Sequence, residues 1–213
     1  MKNSYADVWN NLHKSFAKTT FKRYDDWLDE FLPQIEKTTT QIIDLGCGVT
    51  GNNTIYLLEK GKEVVSCDFA KEALNEVAKI KGAKTCLFDM LETFPFEDNF
   101  TDLVVADLSL HYFKDVDTKR IINEIKRVLK PNGLLVFRLN SINSTEYKKL
   151  VDAGEKQIEE NLFFANNMEK RFFSQEDIKK YFNNWNFICL REENMSRWSP
   201  DKIIWKGAVE NIK

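Results

Sequence analysis

With 213 residues, 43% of them apolar, the chain can bury one core without disulfide or metal support, and a single domain spanning 1–213 is expected. A net charge of -2, with lysine and arginine scattered among acids, gives no basic stripe of the kind that follows phosphate backbones, so nucleic acid is not the expected partner. No uncharged apolar stretch approaches the span of a bilayer, the opening residues lack a continuous apolar segment, and the four cysteines form no Cys-x-x-Cys pair. A cytoplasmic protein with reduced thiols is predicted, with no membrane partner.

Tyr24, Trp27, Leu28, Phe31 and Leu32 recur at helical spacing and Pro33 follows where a helix should end, so residues 1–40 are expected to form a helical N-terminal lid. Gln41 to Leu45 is a short apolar strand. A glycine loop turns it, and Ile55, Leu57 and Leu58 continue as a helix that stops before Gly61. The unit repeats: strand Glu63 to Cys67, helix Lys71 to Ile80, strand Ala83 to Phe88, then strand Leu103 to Ala106. Ile121, Ile122, Ile125, Val128 and Leu129 make one apolar helical stripe, which Pro131-Asn-Gly133 ends before strand Leu134 to Leu139. From 141 to 173 the pattern weakens into a polar insertion with some helix, a possible cap over the substrate. Ser174-Gln-Glu-Asp177 reads as a capping box opening a helix through Ile178, Tyr181 and Phe182. Phe187 to Leu190 and Ile203 to Val209 follow as strands with no helix between them, so they should pair antiparallel. The expected fold class is α/β: a Rossmann-like seven-stranded sheet, mostly parallel, with a terminal antiparallel pair and helices on both faces. Residues 41–140 form its cofactor-binding core, and 174–213 its final helix and strands.

Four acids, Asp44, Asp68, Asp89 and Asp107, each close an apolar run. That puts carboxylates at the carboxyl ends of parallel strands, where open α/β sheets bind ligands. Gly46-Cys-Gly-Val-Thr-Gly51 satisfies Gly-x-Gly-x-x-Gly, and Asp68 lies where a ribose-binding acid is expected, so a nicotinamide dehydrogenase is one reading. The Tyr56 and Lys60 pair has dehydrogenase spacing, but it lies on the helix directly after the loop and reads as chance. Asp44, two residues before the first glycine, favours a cationic ligand over an anionic pyrophosphate: S-adenosylmethionine carries an ammonium and a sulfonium and no phosphate. Asp89 before Met90 is placed to accept from an adenine amino group.

Ile42-Ile-Asp-Leu-Gly-Cys-Gly48, Val65-Ser-Cys-Asp-Phe-Ala70, Phe88-Asp-Met90, Ala106-Asp-Leu-Ser-Leu-His-Tyr-Phe113 and Leu129-Lys-Pro-Asn-Gly-Leu-Leu-Val136 together resemble the class I S-adenosylmethionine-dependent methyltransferases. Lys170-Arg-Phe-Phe-Ser174 and the tryptophan-bearing last strand resemble, more narrowly, small-molecule methyltransferases related to tellurite-resistance proteins. The loop is one residue longer than the family's usual Gly-x-Gly-x-Gly. The resemblance implies that the loop glycines touch the methionine moiety, that Asp68 holds the ribose and Asp89 reaches adenine, and that the segment from Asp107 walls the methyl group. The cofactor set is then Asp44, Gly46, Cys47, Gly48, Asp68, Phe69, Asp89, Met90, Asp107 and Leu108, with S-adenosylhomocysteine as product.

His111, just beyond the fourth strand, is placed to deprotonate an incoming nucleophile; packing against Tyr112 is an equal reading. With His13 and His111 the only histidines, no metal centre is expected. Trp9 and Tyr24 are candidates for an aromatic lid against the sulfonium, and Arg138 and Arg171 for drawing in an anionic substrate, each set against an ordinary structural role. The expected reaction is methyl transfer to a small-molecule acceptor. A methyltransferase for RNA or protein would want Asn/Asp-Pro-Pro-Tyr after strand four, where the chain reads Asp107-Leu-Ser-Leu110. A nicotinamide oxidoreductase and a cofactor-binding module without chemistry are the remaining alternatives.

Overall fold

The computed structural model describes residues 5–17, 26–195 and 202–213. After helix α1 (Tyr5–Ala17) come a 3-10 turn (Asp29–Phe31) and α2 (Leu32–Lys37). The alternation β1 (Ile42–Leu45), α3 (Asn52–Glu59), β2 (Val64–Asp68), α4 (Lys71–Val77) and β3 (Lys84–Leu87) follows. Next are β4 (Thr101–Asp107), α5 (Asp115–Val128), β5 (Leu129–Asn140) and α6 (Thr145–Asp152). Strands β6 (Lys156–Glu159), β7 (Leu162–Ala165) and β8 (Met168–Arg171), helix α7 (Gln175–Tyr181), and strands β9 (Trp185–Met195) and β10 (Lys202–Asn211) complete the chain.

The main sheet has seven strands in the order β3-β2-β1-β4-β5-β10-β9. The first five are parallel, and β10 runs antiparallel to both β5 and β9, as the missing helix between the last two strands predicts. β1 and β2 are buried at every residue, as central parallel strands covered on both faces must be. One face packs α5 and α7 through Ile121, Ile125, Val128, Ile178 and Phe182; the other packs Trp27, Leu28, Phe31, Ile35 and Leu57. The chain leaves β1 toward β2 on one side and returns to β4 on the other, so the strand order reverses at the carboxyl ends of β1 and β4, where such sheets open a ligand crevice.

Three local expectations are corrected. Pro33 begins α2 rather than ending a helix, because a residue without an N–H is tolerated in a first turn whose N–H groups have no intrahelical partner. Tyr24 lies outside the described residues. Pro131-Asn-Gly133 does not separate helix from strand: β5 starts at Leu129, and the register against β4 shifts between Thr101 and Leu103 to absorb the bend, with Asn132 at φ 62. The stretch 141–173, expected to carry some helix, holds α6 but is otherwise a three-stranded antiparallel sheet, β6-β7-β8. Its strands are four residues each, too short for alternation to declare itself in a polar sequence. The capping box at α7 is formed, with Ser174 Oγ accepting from Asp177 N at 3.0 Å and Asp177 Oδ2 accepting from Ser174 N at 2.9 Å.

A buried polar chain links these layers beneath the glycine loop. Trp27 Nε1 donates to Asn53 Oδ1 at 3.0 Å, Thr54 Oγ1 donates to Asp44 Oδ2 at 2.7 Å, and the Thr54 and Ser66 hydroxyls meet at 2.7 Å. Asp44 is wholly buried. Burial lifts its carboxyl to about 7 against the lowering bonds from Thr54 and Asn53, and the charges of Asp107 and Asp68 add to the rise. A carboxyl raised above its unfolded value of about 4 stabilises the fold fully below that pH, and the contribution is lost as pH rises through the folded value. Urea unfolding between pH 5 and 8 is therefore expected to show stability falling with pH by on the order of a few kcal/mol, with a flatter profile for Asp44→Asn. Parallel profiles would mean that Asp44 titrates as an exposed carboxyl does.

Candidate cofactor and acceptor site

The glycine loop leaves β1 in a conformation that side chains resist. Gly46 has φ 78, and a Cβ there would stand 2.4 Å from Ser109 Cβ, so only glycine lets the loop after β1 close on the loop after β4. Ser109 Oγ donates to Leu45 O at 2.6 Å across the same junction. Gly46 N and Cys47 N both donate to Cys67 O, at 2.8 and 2.9 Å, and Gly48 N donates to Asp68 Oδ2 at 3.0 Å. These N–H groups are thus consumed by β2 and its terminal acid. A loop that binds pyrophosphate aims its N–H groups at the ligand instead.

Over this junction lies a cavity of about 670 Å³, within the usual range for small-molecule sites. Its wall brings together Gly46, Cys47 and Gly48 from the first loop, Asp68 and Phe69 after β2, Asp89 and Met90 after β3, and Asp107 and Leu108 after β4. Four separate sequence segments thereby converge. Asp68 is 7% exposed, and its second oxygen accepts from Ala70 N at 2.9 Å. Burial raises its pKa, against the bonds from Ala70 and Gly48 and the nearby His13 charge. Each carboxylate oxygen keeps a further lone pair, so both can still accept from a vicinal diol. Asp89 Oδ1 accepts from Leu91 N at 2.8 Å, which fixes the turn carrying Met90. Leu108 has φ 54, a left-handed conformation rare for leucine and concentrated at binding sites.

Helix α1 supplies residues that sequence reasoning assigned only in part. Trp9 lines the cavity as expected of a lid, edge-on to Tyr112 with centroids 4.8 Å apart and to Phe69 at 6.3 Å. His13, one turn on, was read only as a non-metal histidine, yet it also lines the cavity and feels Asp68. Burial lowers its pKa, the Asp68 charge opposing. Among the described residues, neither His13 Nδ1 nor Trp9 Nε1 has a hydrogen-bond partner although both atoms are buried, which leaves two polar atoms on this wall open to a ligand. The i, i+4 spacing of Trp9 and His13 on one helix face was the available signal. A glycine with no room for Cβ at Gly46, a buried acid with unused lone pairs and ring nitrogens open to a ligand fit a nucleoside without phosphate.

Four assignments are corrected by position. Asp44 is not on the wall; it lies behind the loop, bonded to Thr54, and supplies no charged floor. Arg138 is 1% exposed and clamps Asp107 with two 2.7 Å bonds while its guanidinium stands 4.5 Å over Trp27, so it draws in nothing from solvent. Arg171 is buried too, pairing with Glu159 and donating to Phe113 O at 3.0 Å, which ties β8 to the loop after β4. His111 is wholly buried and off the cavity wall, its ring 4.2 Å from Tyr112. Burial, then the charges of Lys202 and Lys170, hold its pKa well below the usual value, which makes it a poor general base. No residue of 141–173 lies on the wall among those described, so that stretch does not cap this cavity. Among the described residues, no group of three metal-ligating side chains is present and no helix is long and apolar enough to cross a membrane.

Comparison with known proteins agrees with this geometry. Residues 43–137 match the model of a methyltransferase domain. A putative methyltransferase of Bacillus subtilis, YqeM, is 32% identical over 142 residues, covering 64% of this chain and 54% of its own. The tRNA N(3)-methylcytidine methyltransferase Mettl2 of Drosophila melanogaster is 29% identical over 151 residues, covering 65% of this chain and 46% of its own. The chain thus spans about half the length of these two relatives. Among solved structures, a S-adenosylmethionine-dependent methyltransferase from Methanosarcina mazei superposes with a TM-score of 0.74 at 19% identity, covering 90% of this chain and 99% of the other, a likeness of fold. Sheet order, site and family model agree: residues 43–137 carry the match to a methyltransferase domain, within a fold like that of S-adenosylmethionine-dependent methyltransferases.

Proposed function

We propose that the protein methylates a small-molecule acceptor. The observation that carries this reading is the cavity itself: a mostly apolar chamber roofed by Trp9 and His13 of α1, on a chain whose net charge of -2 offers no track for a polynucleotide. When bound, S-adenosylmethionine supplies an electrophilic methyl whose carbon bonds to the acceptor nucleophile as the carbon–sulfur bond breaks, leaving S-adenosylhomocysteine. Asp68 accepts from the ribose hydroxyls, the Gly46 to Gly48 backbone permits close approach of the methionine moiety, and Met90 packs against adenine. Trp9 and Tyr112 exclude water and present aromatic faces and edges to the transfer region. Because the lowered pKa of His111 makes it a weak base and its ring is buried against Tyr112, the residues act by positioning rather than by proton abstraction, and an acceptor that carries a proton loses it to solvent once the product is released.

The likeness to Mettl2 is the specific observation favouring a second reading, transfer to RNA. Incubation with labelled S-adenosylmethionine, once with pooled tRNA and once with a small-metabolite extract, separates the two. Label in the small-molecule fraction is expected; label confined to tRNA refutes the proposal. Asp68→Ala should weaken S-adenosylhomocysteine binding by about 1.5 to 3 kcal/mol in calorimetry, since charge-assisted bonds to the ribose are lost. Unchanged affinity would remove Asp68 from the site.

A further inference from the structure

Beyond the cofactor cavity lies a polar pair that it does not reach. His111 and Asn140 are each 1% exposed, and among the described residues none of their four side-chain nitrogen and oxygen atoms has a hydrogen-bond partner. A buried polar group left unsatisfied is destabilising, so two such residues are an expensive arrangement for a core that apolar residues could fill. The connector after β8 sets their spacing. Arg171 N donates to His111 O at 2.7 Å and Phe173 N donates to Asn140 O at 2.8 Å. Donors two residues apart along extended chain stand about 6.5 Å from each other, and the two carbonyls are held at roughly that separation.

Alternation along β5 sends the Asn140 side chain to the face that carries Arg138. Ile204 of β10 pairs with Asn140, so Lys202 shares that face. Nearby, Asp107 pairs with Arg138 and Lys170 with Glu146. The charges of Lys202 and Lys170 both act on His111 to lower its pKa, and Lys202 is itself pushed down to about 8 by burial and then by Lys170. Tyr112 connects the two regions: its ring lies 4.2 Å from the His111 ring, and the residue lines the cofactor cavity.

We propose that His111 and Asn140, with the charges of Lys202 and Lys170 acting on the imidazole, form the acceptor end of the site, that rotation of Tyr112 joins it to the cofactor cavity, and that the acceptor carries a carboxylate. Neutral imidazole and the carboxamide both donate to the carboxylate oxygens, the lysine field offsets their charge, and the nucleophilic atom is left facing Leu108 and the methyl position. This inference rests on the small-acceptor reading and narrows it.

The test is calorimetry on protein saturated with S-adenosylhomocysteine, using acetate, benzoate, phenylacetate and indole-3-acetate, each against its amide. At least one carboxylate should bind about tenfold or more tightly than its amide, and that preference should collapse in Asn140→Leu and in Lys202→Met. Asn140→Leu should also hold or raise Tm, because it removes an unsatisfied amide at similar volume. Equal binding of acids and amides, a preference that survives both substitutions, or no binding by any probe overturns the proposal. A fall in Tm for Asn140→Leu would overturn the role of Asn140 as a group held for a ligand. Small uncharged acceptors turning over without preference for a carboxylate would remove this inference and leave the small-acceptor reading standing.

Discussion

The contact on which the site depends is Gly46 against Ser109. With Ser109 Cβ standing 2.4 Å from where a Gly46 Cβ would be, the loops after β1 and β4 touch through a hydrogen where any other residue would hold them apart. That closure gathers the ends of β1, β2, β3 and β4 around one cavity. It also turns the loop N–H groups back onto Cys67 O and Asp68. The same geometry that makes the cavity therefore removes the donors a pyrophosphate would need, and preference for a phosphate-free nucleoside follows from the loop's hydrogen bonds rather than from a charged floor.

Much of this was legible in the sequence. Parallel strands ending in acids, the glycine loop and the capping box at Ser174 each carry a local signal strong enough to survive packing, and each stands where expected. Asp68, Asp89, Met90 and Leu108 reach the wall because a strand-end residue has only one place to go once the strand is parallel and buried. The failures share one cause. Asp44, Arg138 and Arg171 are charged residues whose sequence context says nothing about partners 10 to 31 positions away, and Thr54, Asp107 and Glu159 claim them. His13 was missed for the converse reason: a histidine on an isolated amphipathic helix acquires meaning only when α1 docks on α4, through Lys14 with Glu72 and Asn10 with Glu72 N. The β6-β7-β8 sheet escaped notice because strands of four residues fall below the length at which periodicity is decisive.

Buried polar groups here divide into two kinds. In the chain from Trp27 through Asn53, Asp44 and Thr54 to Ser66, polar atoms meet within the protein, and this network ties the layers beneath the loop. Among the described residues, ring or amide atoms are left without partners at Trp9 and His13 on the cavity wall, at His111 and Asn140 off it, and also at Gln34, Gln41 and Asn211 elsewhere in the fold. Within this second kind, Trp9 and His13 stand on the cavity wall, where a ligand can complete their bonding.

A crystal structure with S-adenosylhomocysteine tests the central claim most directly. The account predicts the ribose hydroxyls within hydrogen-bond reach of both Asp68 oxygens, adenine beside Met90, and a ring nitrogen of His13 or Trp9 newly bonded to the ligand. A nucleoside lying outside this cavity, or one that leaves Asp68 bonded only to Gly48 and Ala70, would contradict it.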